Sequence, residues 1–343
     1  MANTSLEEHE GYLKRSQLQD GDVLFTIVGT LGRIGVVKNK DLPANTNQQI
    51  AIIRLNNANN RFVFHALKTS RIASFIKSDA TIGAQPSLSL WQINGLKIPY
   101  PSLKEQDKIG GFFEHLDHLI TLHQRKLDLL KEQKKGYLQK MFPKNGAKVP
   151  ELRFAGFADA WEERKLGEEF KKVSERNNGS FGRDHWISVA KMYFQSPEKV
   201  QSNNIDTRTY VMREGDIAFE GHPNSEFKFG RFVANDIGAG VVSELFPIYK
   251  HQHEYDNNYW KNAIQIERIM APIFAKSITS SGNSSNKLDT KHFLRQKILI
   301  PQINEQKKMG SFFKQLDNAI ALHQRKLDLL KEQKKGFLQN MFV

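Results

Sequence analysis

The sequence LHQRKLDLLKEQKKG occupies residues 122–136 and occurs again, unchanged, at residues 322–336. The likeness extends upstream, from KIPYPSLKEQDKIGGFFEHLDHLI before the first copy to KILIPQINEQKKMGSFFKQLDNAI before the second. A long helical element that follows two different globular stretches indicates a chain built of two equivalent halves. We expect each half to consist of one globular stretch followed by one long helix.

Both copies place apolar residues at alternating steps of three and four, which is the heptad pattern of a coiled coil. Ser102 and Glu105 fit a capping box at the start of the first helix, and Pro143 and Gly146 end it. The exposed faces are too polar for burial on all sides, so each helix needs a partner along one stripe. The other copy in an antiparallel pair is the simplest partner, and a bundle shared with another subunit is the alternative. The predicted seam consists of Phe113, Leu116, Ile120, Leu127, Leu130, Phe313, Leu316, Ile320, Leu327 and Leu330.

Two histidines, His123 and His323, occupy equivalent positions within this seam. A metal pair and a pH switch are both compatible with such a repeat. We favour a polar seam position that helps to fix the helix register beside Lys134 and Lys334, because a lysine can extend its amine to solvent.

The two globular stretches share a pattern of strands and helices. In the first, strands are predicted at residues 23–28, 34–37 and 48–55, followed by helical spacing at residues 61–78. In the second, REGDIAFEGHPNSEFKFGRFVA repeats the Gly-Asp turn with its strands, and YWKNAIQIERIMAPIFAKS repeats the helical segment. The predicted fold class is α+β, with two α/β domains separated by two long helices that form an antiparallel coiled coil. The predicted segments are residues 1–95, the central helix at 96–148, residues 149–295 and the C-terminal helix at 296–343.

The composition narrows the classes of function. The chain has 343 residues, no cysteine and a formal net charge of +13. The missing cysteines exclude disulfides, thiolate catalysis and zinc sites that need sulfur. The positive charge is spread along the chain and favours a polyanionic partner such as nucleic acid, with a merely basic protein as the alternative. Because the sequence has no secretory signal and no apolar run of bilayer length, we expect a cytoplasmic protein without a membrane partner.

No catalytic motif in the sequence is convincing. GTLGRIG at residues 29–35 lacks the Lys-Ser/Thr pair that completes a phosphate loop. No Asn-Pro-Pro-aromatic or Asp-Pro-Pro-aromatic tetrapeptide indicates an amino-methyltransferase. His251 and His253 have no evident third metal ligand and are interpreted as surface histidines. We expect no catalytic residue, no metal and no cofactor.

Polar loops of both globular stretches supply candidates for binding nucleic acid. Arg, Lys and Asn suit phosphate and base-edge contacts, and they are interleaved with Ser and Gly in RNNGSFGRDHWISVAKMYF and EGHPNSEFKFGRF. Ordinary solvated loops are the alternative interpretation. The candidate residues are Arg33, Gln85, Arg176, Arg183, His185, Lys191, Tyr193, Lys228, Arg231, Gly282, Asn283, Ser284 and Asn286.

The segments IPYPSLKEQDKI, FFEHLDHLI and LHQRKLDLLKEQKKGYLQKMF resemble the conserved regions of the DNA-specificity subunit of type I restriction-modification systems. VPELRFAGFADAWEERKLGE resembles the start of a target-recognition domain in that family. The resemblance covers most of the chain in the family's order. It implies a non-catalytic subunit with two target-recognition domains, each recognising one half of a bipartite site in double-stranded DNA.

The resemblance also implies partners. The long helices would separate the two domains and dock two methyltransferase subunits, while methylation, ATP-driven translocation and cleavage would belong to the methyltransferase and restriction/translocase subunits. The alternatives are an enzyme, such as a fused methyltransferase or nuclease, and a coiled-coil scaffold without sequence-specific DNA binding.

The first globular stretch departs from the family pattern at its amino end. It has 20 residues before its Gly-Asp turn, whereas the second has roughly 65 and opens with PELRF. Either the natural gene starts inside its first domain or the chain is a truncated product. We expect the first domain to lack its opening strands, and our hypothesis is that its folding or its DNA recognition is impaired.

Overall fold

The computed structural model describes residues 5–81, 83–144, 146–200, 205–281 and 285–342. The chain divides into two compact units, one formed by Met1–Leu127 with Leu322–Val343 and the other by Asp128–Ala321. We call them unit 1 and unit 2. Each unit mixes helices with antiparallel strands, and each contains a segment of both long helices. The predicted α+β fold class is thereby confirmed.

Unit 1 holds a three-stranded antiparallel sheet with short helices. In chain order its elements are α1 (Leu6–Glu10), β1 (Val23–Thr26), β2 (Ile34–Val36), β3 (Ile50–Ile53), α2 (Asn60–Ala66), α3 (Ser70–Asp79) and α4 (Leu90–Asn94). The strand order is β2-β1-β3. The core of this unit includes Val23 and Phe25 of the central strand, Phe62 of α2 and Phe113 of the first long helix.

The helical spacing predicted at residues 61–78 corresponds to two helices, α2 and α3, with a break between them. The Thr69 hydroxyl donates to the Ala66 carbonyl at 2.9 Å, and Thr69 has extended backbone angles as the N-cap of α3. Thr and Ser compete with the helix for backbone hydrogen bonds, so Thr69 and Ser70 favour a break over a continuous helix.

The first long helix, α5 (Leu103–Lys140), has 38 residues, which corresponds to about 57 Å. Unit 2 follows with β4 (Glu162–Lys165), α6 (Leu166–Glu169), β5 (Phe170–Val173), β6 (Ile187–Ser188), β7 (Tyr193–Phe194), β8 (Thr209–Met212), β9 (Ile217–Glu220), β10 (Arg231–Ala234), β11 (Gly240–Ser243), β12 (Ile248–His251), α7 (Asn257–Ala263), α8 (Glu267–Ala275), β13 (Ile278–Ser281), β14 (Asn286–Leu288), α9 (Thr290–Arg295) and β15 (Lys297–Ile300). The second long helix, α10 (Ile303–Asn340), also has 38 residues. No helix within the described ranges is apolar over a length that would cross a membrane.

The main sheet of unit 2 has the strand order β10-β9-β12-β5. Further antiparallel pairs join β8 to β11, β13 to β14, β4 to β15 and β6 to β7. The core contains Phe232, Tyr249, Trp260 and Phe293 together with Phe313 of α10.

The same glycine turn precedes β1 in unit 1 and β9 in unit 2. Gly21 and Gly215 have φ values of +84° and +88°, which glycine adopts without steric cost. The Asp22 carboxylate accepts a hydrogen bond from the Gln19 backbone N–H at 2.7 Å. The Asp216 carboxylate accepts the equivalent bond from Arg213 at 2.8 Å. Strands β1, β2 and β3 therefore correspond to β9, β10 and β12.

The two long helices pair antiparallel within each unit. In unit 1, the Phe112 ring lies 5.0 Å from the Phe337 ring, and Lys334 forms an ion pair with Asp117. In unit 2, the Tyr137 ring lies 4.9 Å from that of Phe312, and Lys134 pairs with Asp317 at 2.6 Å. Among the predicted seam residues, the buried ones are Phe113, Leu116, Leu127, Leu130, Phe313 and Leu327, and the partly buried ones are Ile120, Leu316, Ile320 and Leu330.

The two seam histidines contact each other in unit 1. Nδ1 of His123 lies 2.9 Å from Nδ1 of His323, so one ring donates and the other accepts. Burial, followed by the neighbouring His123, lowers the pKa of His323. Across the described part of the chain, no cluster of three or more His, Asp or Glu side chains could hold a metal ion.

A glycine on each long helix allows close packing against a short helix. Gly310 faces the start of α7, where the Asp256 carboxylate caps the helix by accepting from the Tyr259 N–H at 2.7 Å. A Cβ at Gly310 would lie 1.9 Å from that carboxylate and 2.9 Å from the Tyr259 nitrogen. Gly110 meets the start of α2 in the same way, with the Phe62 nitrogen at 2.9 Å.

We expect Gly310→Ala to lower the free energy of unfolding by about 2 kcal/mol, because the methyl group overpacks the capped helix start. Gly336→Ala is the matched control on the same helix, since nothing lies within 4 Å of its added Cβ. The control should gain about 0.5–1 kcal/mol from better helix propensity. Denaturant unfolding of the full chain measures both values, and equal effects at the two glycines would contradict the packing argument.

The interpretation of His251 as a surface histidine is wrong. Its ring stacks on Tyr255 with centroids 3.8 Å apart and also contacts Phe170 and Trp260. Neither ring nitrogen has a hydrogen-bond partner among the described residues. This burial lowers the pKa of His251 to about 3. In unit 1, burial lowers the pKa of His65 to about 4.

We expect the stability of the chain to fall as the pH drops below 6.5. The unfolded histidine binds a proton near its ordinary pKa, whereas folded His251 remains neutral until the pH approaches 3. Neutral His251 therefore contributes its full stability above pH 6.5. At pH 5 this residue lowers the free energy of unfolding by about 2 kcal/mol. His251→Phe keeps the aromatic contacts and should remove that share of the pH dependence. Unfolding curves of both chains at pH 7 and pH 5 test this, and parallel losses would contradict it.

Candidate nucleic-acid interface

In unit 2, the turn between β9 and β10 is a rigid, polar surface element. The Asn224 side-chain oxygen accepts from the Glu226 and Phe227 backbone N–H groups, both at 2.9 Å. The Asn224 N–H donates to the Phe227 carbonyl at 3.0 Å. These bonds fix the backbone that presents the exposed Lys228 side chain.

The start of strand β14 is attached to this turn. The backbone N–H of Asn286 donates to the Gly221 carbonyl at 2.8 Å. Gly221 permits the approach, because a Cβ there would lie 2.2 Å from the Asn286 carbonyl oxygen. The backbone therefore holds Asn286 in place and leaves its partly exposed amide side chain to contact another molecule.

Arg231 joins the hairpin of β6 and β7 to the same turn. Its Nη2 donates to the Ala190 carbonyl at 2.5 Å, and its guanidinium lies 5.2 Å from the Phe227 ring centroid. The next residue, Lys191, is exposed, as is Tyr193 at 47%. Arg231 thus acts here as a positioning residue, with a side chain 24% exposed.

A buried carboxylate orients one more exposed group. Glu220, 7% exposed, accepts from both the backbone N–H of His222 at 3.1 Å and its ring Nδ1 at 2.6 Å. The His222 side chain itself is 60% exposed. We call Lys191, His222, Lys228 and Asn286 the unit 2 patch. It offers two cationic groups, an imidazole and an amide, which suit phosphate oxygens and base edges.

Unit 1 carries an equivalent surface at the turn between β1 and β2. The Thr26 hydroxyl donates to the Thr30 carbonyl at 2.6 Å and accepts from the Arg33 N–H at 2.9 Å. The Gly29 N–H donates to the Pro86 carbonyl at 2.9 Å, which attaches the loop that carries Gln85. We call the exposed residues Thr30, Arg33 and Gln85 the unit 1 patch.

Other predicted candidates lie elsewhere in unit 2. Arg176 donates to the Thr207 carbonyl and to Glu244, each at 2.6 Å, so its guanidinium is engaged within the fold. Arg183 and His185 belong to a short 3-10 helix, Arg183–His185, and the His185 ring lies 5.7 Å from that of Phe194. The hydrogen bond from Arg176 also lowers the pKa of Glu244. The candidates Gly282, Asn283 and Ser284 lie outside the described residues.

His222 and its buried partner Glu220 were not predicted as site residues. Their signal in the sequence is EGHPN, in which Glu and His flank the glycine directly after a predicted strand. Burial of the Glu220 carboxylate depends on how the sheet packs around it. The neighbouring residues in the sequence do not specify that packing.

Comparisons with known proteins agree on one family. A family model described as the type I restriction modification DNA specificity domain matches residues 1–132 and 159–332. The type I restriction enzyme MjaVIII specificity subunit of Methanocaldococcus jannaschii is 22% identical over 387 aligned residues, covering 98% of this chain and 86% of that protein. The putative MjaX specificity subunit of the same organism is 23% identical over 340 residues, with 93% and 76% covered.

Solved structures share the fold. The type I restriction-modification S subunit from M. genitalium has a TM-score of 0.62 at 13% identity, covering 96% of this chain and 85% of that one. A chain from a structural study of the assembly and conformational transition of the type I restriction-modification system has a TM-score of 0.50 at 17% identity, with 94% and 81% covered.

Proposed function

Since this chain belongs to the type I restriction-modification DNA specificity family, we propose that its two patches contact the two halves of a bipartite DNA target. The chain is the DNA-recognition subunit of a type I restriction-modification complex and not its catalytic component. It binds DNA and works together with other subunits of that complex. The proposal concerns the residues that carry out the recognition.

The repeated turn is the observation that carries this proposal. The patches lie at equivalent turns, between β1 and β2 in unit 1 and between β9 and β10 in unit 2, and in both a backbone hydrogen bond attaches a second polar segment. One such surface on each unit matches a target with two separate blocks of bases. We retain residues 1–95 and 149–295 as the two proposed recognition domains.

Within each patch, we assign different roles to different groups. Lys191 and Lys228 of the unit 2 patch neutralise phosphates, which contributes affinity without base preference. Asn286 contacts a base edge, because an amide can both donate to and accept from adenine. In the unit 1 patch, Arg33 supplies the cation and Gln85 the amide. Arg231 and Glu220 position these loops without touching DNA.

The long helices provide the proposed docking surface for the catalytic subunits. Unit 1 presents the exposed Arg125 and Lys126, and unit 2 presents the exposed Lys131 and Lys135. We propose that each unit docks one methyltransferase subunit, which gives two per chain, and that the restriction/translocase subunits join through the same complex. We also propose that the complex works in the cytoplasm.

Duplex binding at two salt concentrations tests the proposed function. We expect the dissociation constant of the chain with its methyltransferase subunit to rise steeply between 50 and 200 mM salt, by about tenfold or more, because binding to phosphates releases counterions. The chain without that subunit should bind more weakly. Salt-independent binding, or affinity equal to that of an unrelated scaffold protein, would contradict DNA recognition by these patches.

A further inference from the structure

Strand β3 forms the outer edge of the sheet in unit 1. On one side it pairs with β1 through four residues, with Ile53 opposite Val23 and Ile50 opposite Thr26. Within the described residues, the backbone of residues 51–55 makes no hydrogen bond apart from this ladder. Such an edge presents a row of unpaired N–H and C=O groups to any extended chain that approaches it.

The equivalent strand of unit 2 is covered on both sides. Strand β12 pairs with β9 on one side and with β5 on the other. Tyr249 lies opposite Ile217 of β9, just as Ile53 lies opposite Val23 of β1. Ile53 therefore corresponds to Tyr249, which faces Lys172 of β5. The open edge of β3 is the position that β5 occupies in the other unit.

The uncovered edge leaves apolar surface accessible. Ile248 and Tyr249 of β12 are both 0% exposed, whereas Ile52 and Ile53 of β3 are partly exposed. A groove of about 820 Å³ runs beside β3 and is lined by Tyr12, Leu13, Ile50, Ile52 and Leu90, among others.

The edge also lacks the usual protection against added strands. The four residues of β3 are Ile-Ala-Ile-Ile, with no lysine or proline, which commonly protect exposed edges. Arg54 follows the strand, but its guanidinium is held by both carboxylate oxygens of Asp22, at 2.7 and 2.8 Å. This geometry leaves the backbone of β3 open to pairing.

We propose that the open edge of β3 binds an extended segment of a partner polypeptide as an added antiparallel strand. The side chains of β5 indicate which residues the partner segment carries, because β5 occupies the equivalent edge. Phe170 and Val173 pack inward, and Lys171 and Lys172 face solvent. The partner segment has an apolar residue at each end of a basic pair. Main-chain hydrogen bonds supply affinity in this mode of recognition, and alternate side chains in the groove supply specificity. This site is separate from the patches and does not depend on their contact with DNA.

A peptide with the sequence of residues 168–176, EEFKKVSER, is a direct probe of the site. We expect the labelled peptide to bind the full chain saturably. In the β12–β5 pair the Gln252 N–H donates to the Glu169 carbonyl, so hydrogen-bonded positions recur at every second residue and include Lys171. Replacing Lys171 of the peptide by proline therefore removes an N–H donor that faces the edge and should weaken binding at least about tenfold. Equal binding of the two peptides, or no saturable binding at millimolar concentration, would overturn the proposal.

The absence of cysteine from the chain allows the register to be tested as well. The full-length Ile53→Cys chain should form a disulfide with a peptide carrying Lys172→Cys, because these residues face each other in the proposed register. The Leu55→Cys chain, two residues further along the same face, is the matched control and should react much more slowly. Equal rates would exclude the register. Disulfide formation between two Ile53→Cys chains without peptide would identify a second copy as the occupant and also overturn the proposal.

Discussion

The largest loss of stability is expected from Glu305→Ala, which removes the carboxylate of a buried ion pair. Glu305 is 1% exposed and Arg153 is 11% exposed. Nε and Nη2 of Arg153 donate to the two carboxylate oxygens at 2.6 and 2.7 Å. Removing one partner leaves the other charge buried without compensation, which costs about 3–5 kcal/mol. Denaturant unfolding of the full chain measures the loss.

The repeat supplies a matched control at Glu105. It occupies the equivalent place in α5, since the sequence reads Glu-Gln at both 105–106 and 305–306, but its side chain is exposed. We expect Glu105→Ala to change the free energy of unfolding by less than about 0.5 kcal/mol. Similar losses from the two substitutions would mean that the Arg153 pair does not hold this part of unit 2 together.

The largest loss of DNA binding is expected from removing three side chains of the unit 2 patch together. The variant Lys191→Ala, Lys228→Ala, Asn286→Ala should weaken binding to the cognate duplex at least about 100-fold. It removes two phosphate contacts and one base contact, and the base contact alone contributes about 1–3 kcal/mol. The fold should persist, because the bonds that hold these loops come from the Asn286 and Gly221 backbones and from Arg231. Fluorescence anisotropy with cognate and scrambled duplexes measures the effect.

A charge-matched control separates patch contacts from general electrostatics. Lys297 and Lys307 of unit 2 form exposed ion pairs with Glu163 and Glu254. Exposed pairs contribute about 0–1 kcal/mol to stability, so the double variant Lys297→Ala, Lys307→Ala should fold normally. It removes two positive charges, as the patch variant does, and should lower affinity only slightly. If the control loses as much affinity as the patch variant, the patch is not the DNA-contact surface.

Local patterns in the sequence predicted the elements that depend on local residues. The heptad spacing around Phe113 and Phe313 predicted the seam, and the repeated Gly-Asp pair predicted equivalent turns at Gly21 and Gly215. Apolar periodicity and positive φ angles depend on near neighbours, which the sequence lists directly. The break at Thr69 was missed because the apolar residues keep their helical spacing across it.

Contacts between distant residues account for most of what the sequence could not predict. Arg153 and Glu305 are 152 positions apart, and nothing near either residue indicates that they are buried together. His251 is enclosed by Phe170, Tyr255 and Trp260 only after β5 and α7 pack against β12. The engagement of Arg176 by Glu244 likewise depends on tertiary structure, as does the support of His222 by Glu220.

Mapping the methylated motif in DNA from cells that carry this gene with its neighbouring subunit genes tests the central claim most directly. We expect two short blocks of bases around a fixed gap that is not recognised. The unit 2 patch variant should change or abolish methylation through one block, and Arg33→Ala with Gln85→Ala should affect the other. A single continuous motif, no motif that depends on this gene, or unchanged methylation with both variants would contradict recognition of a bipartite target by the two patches.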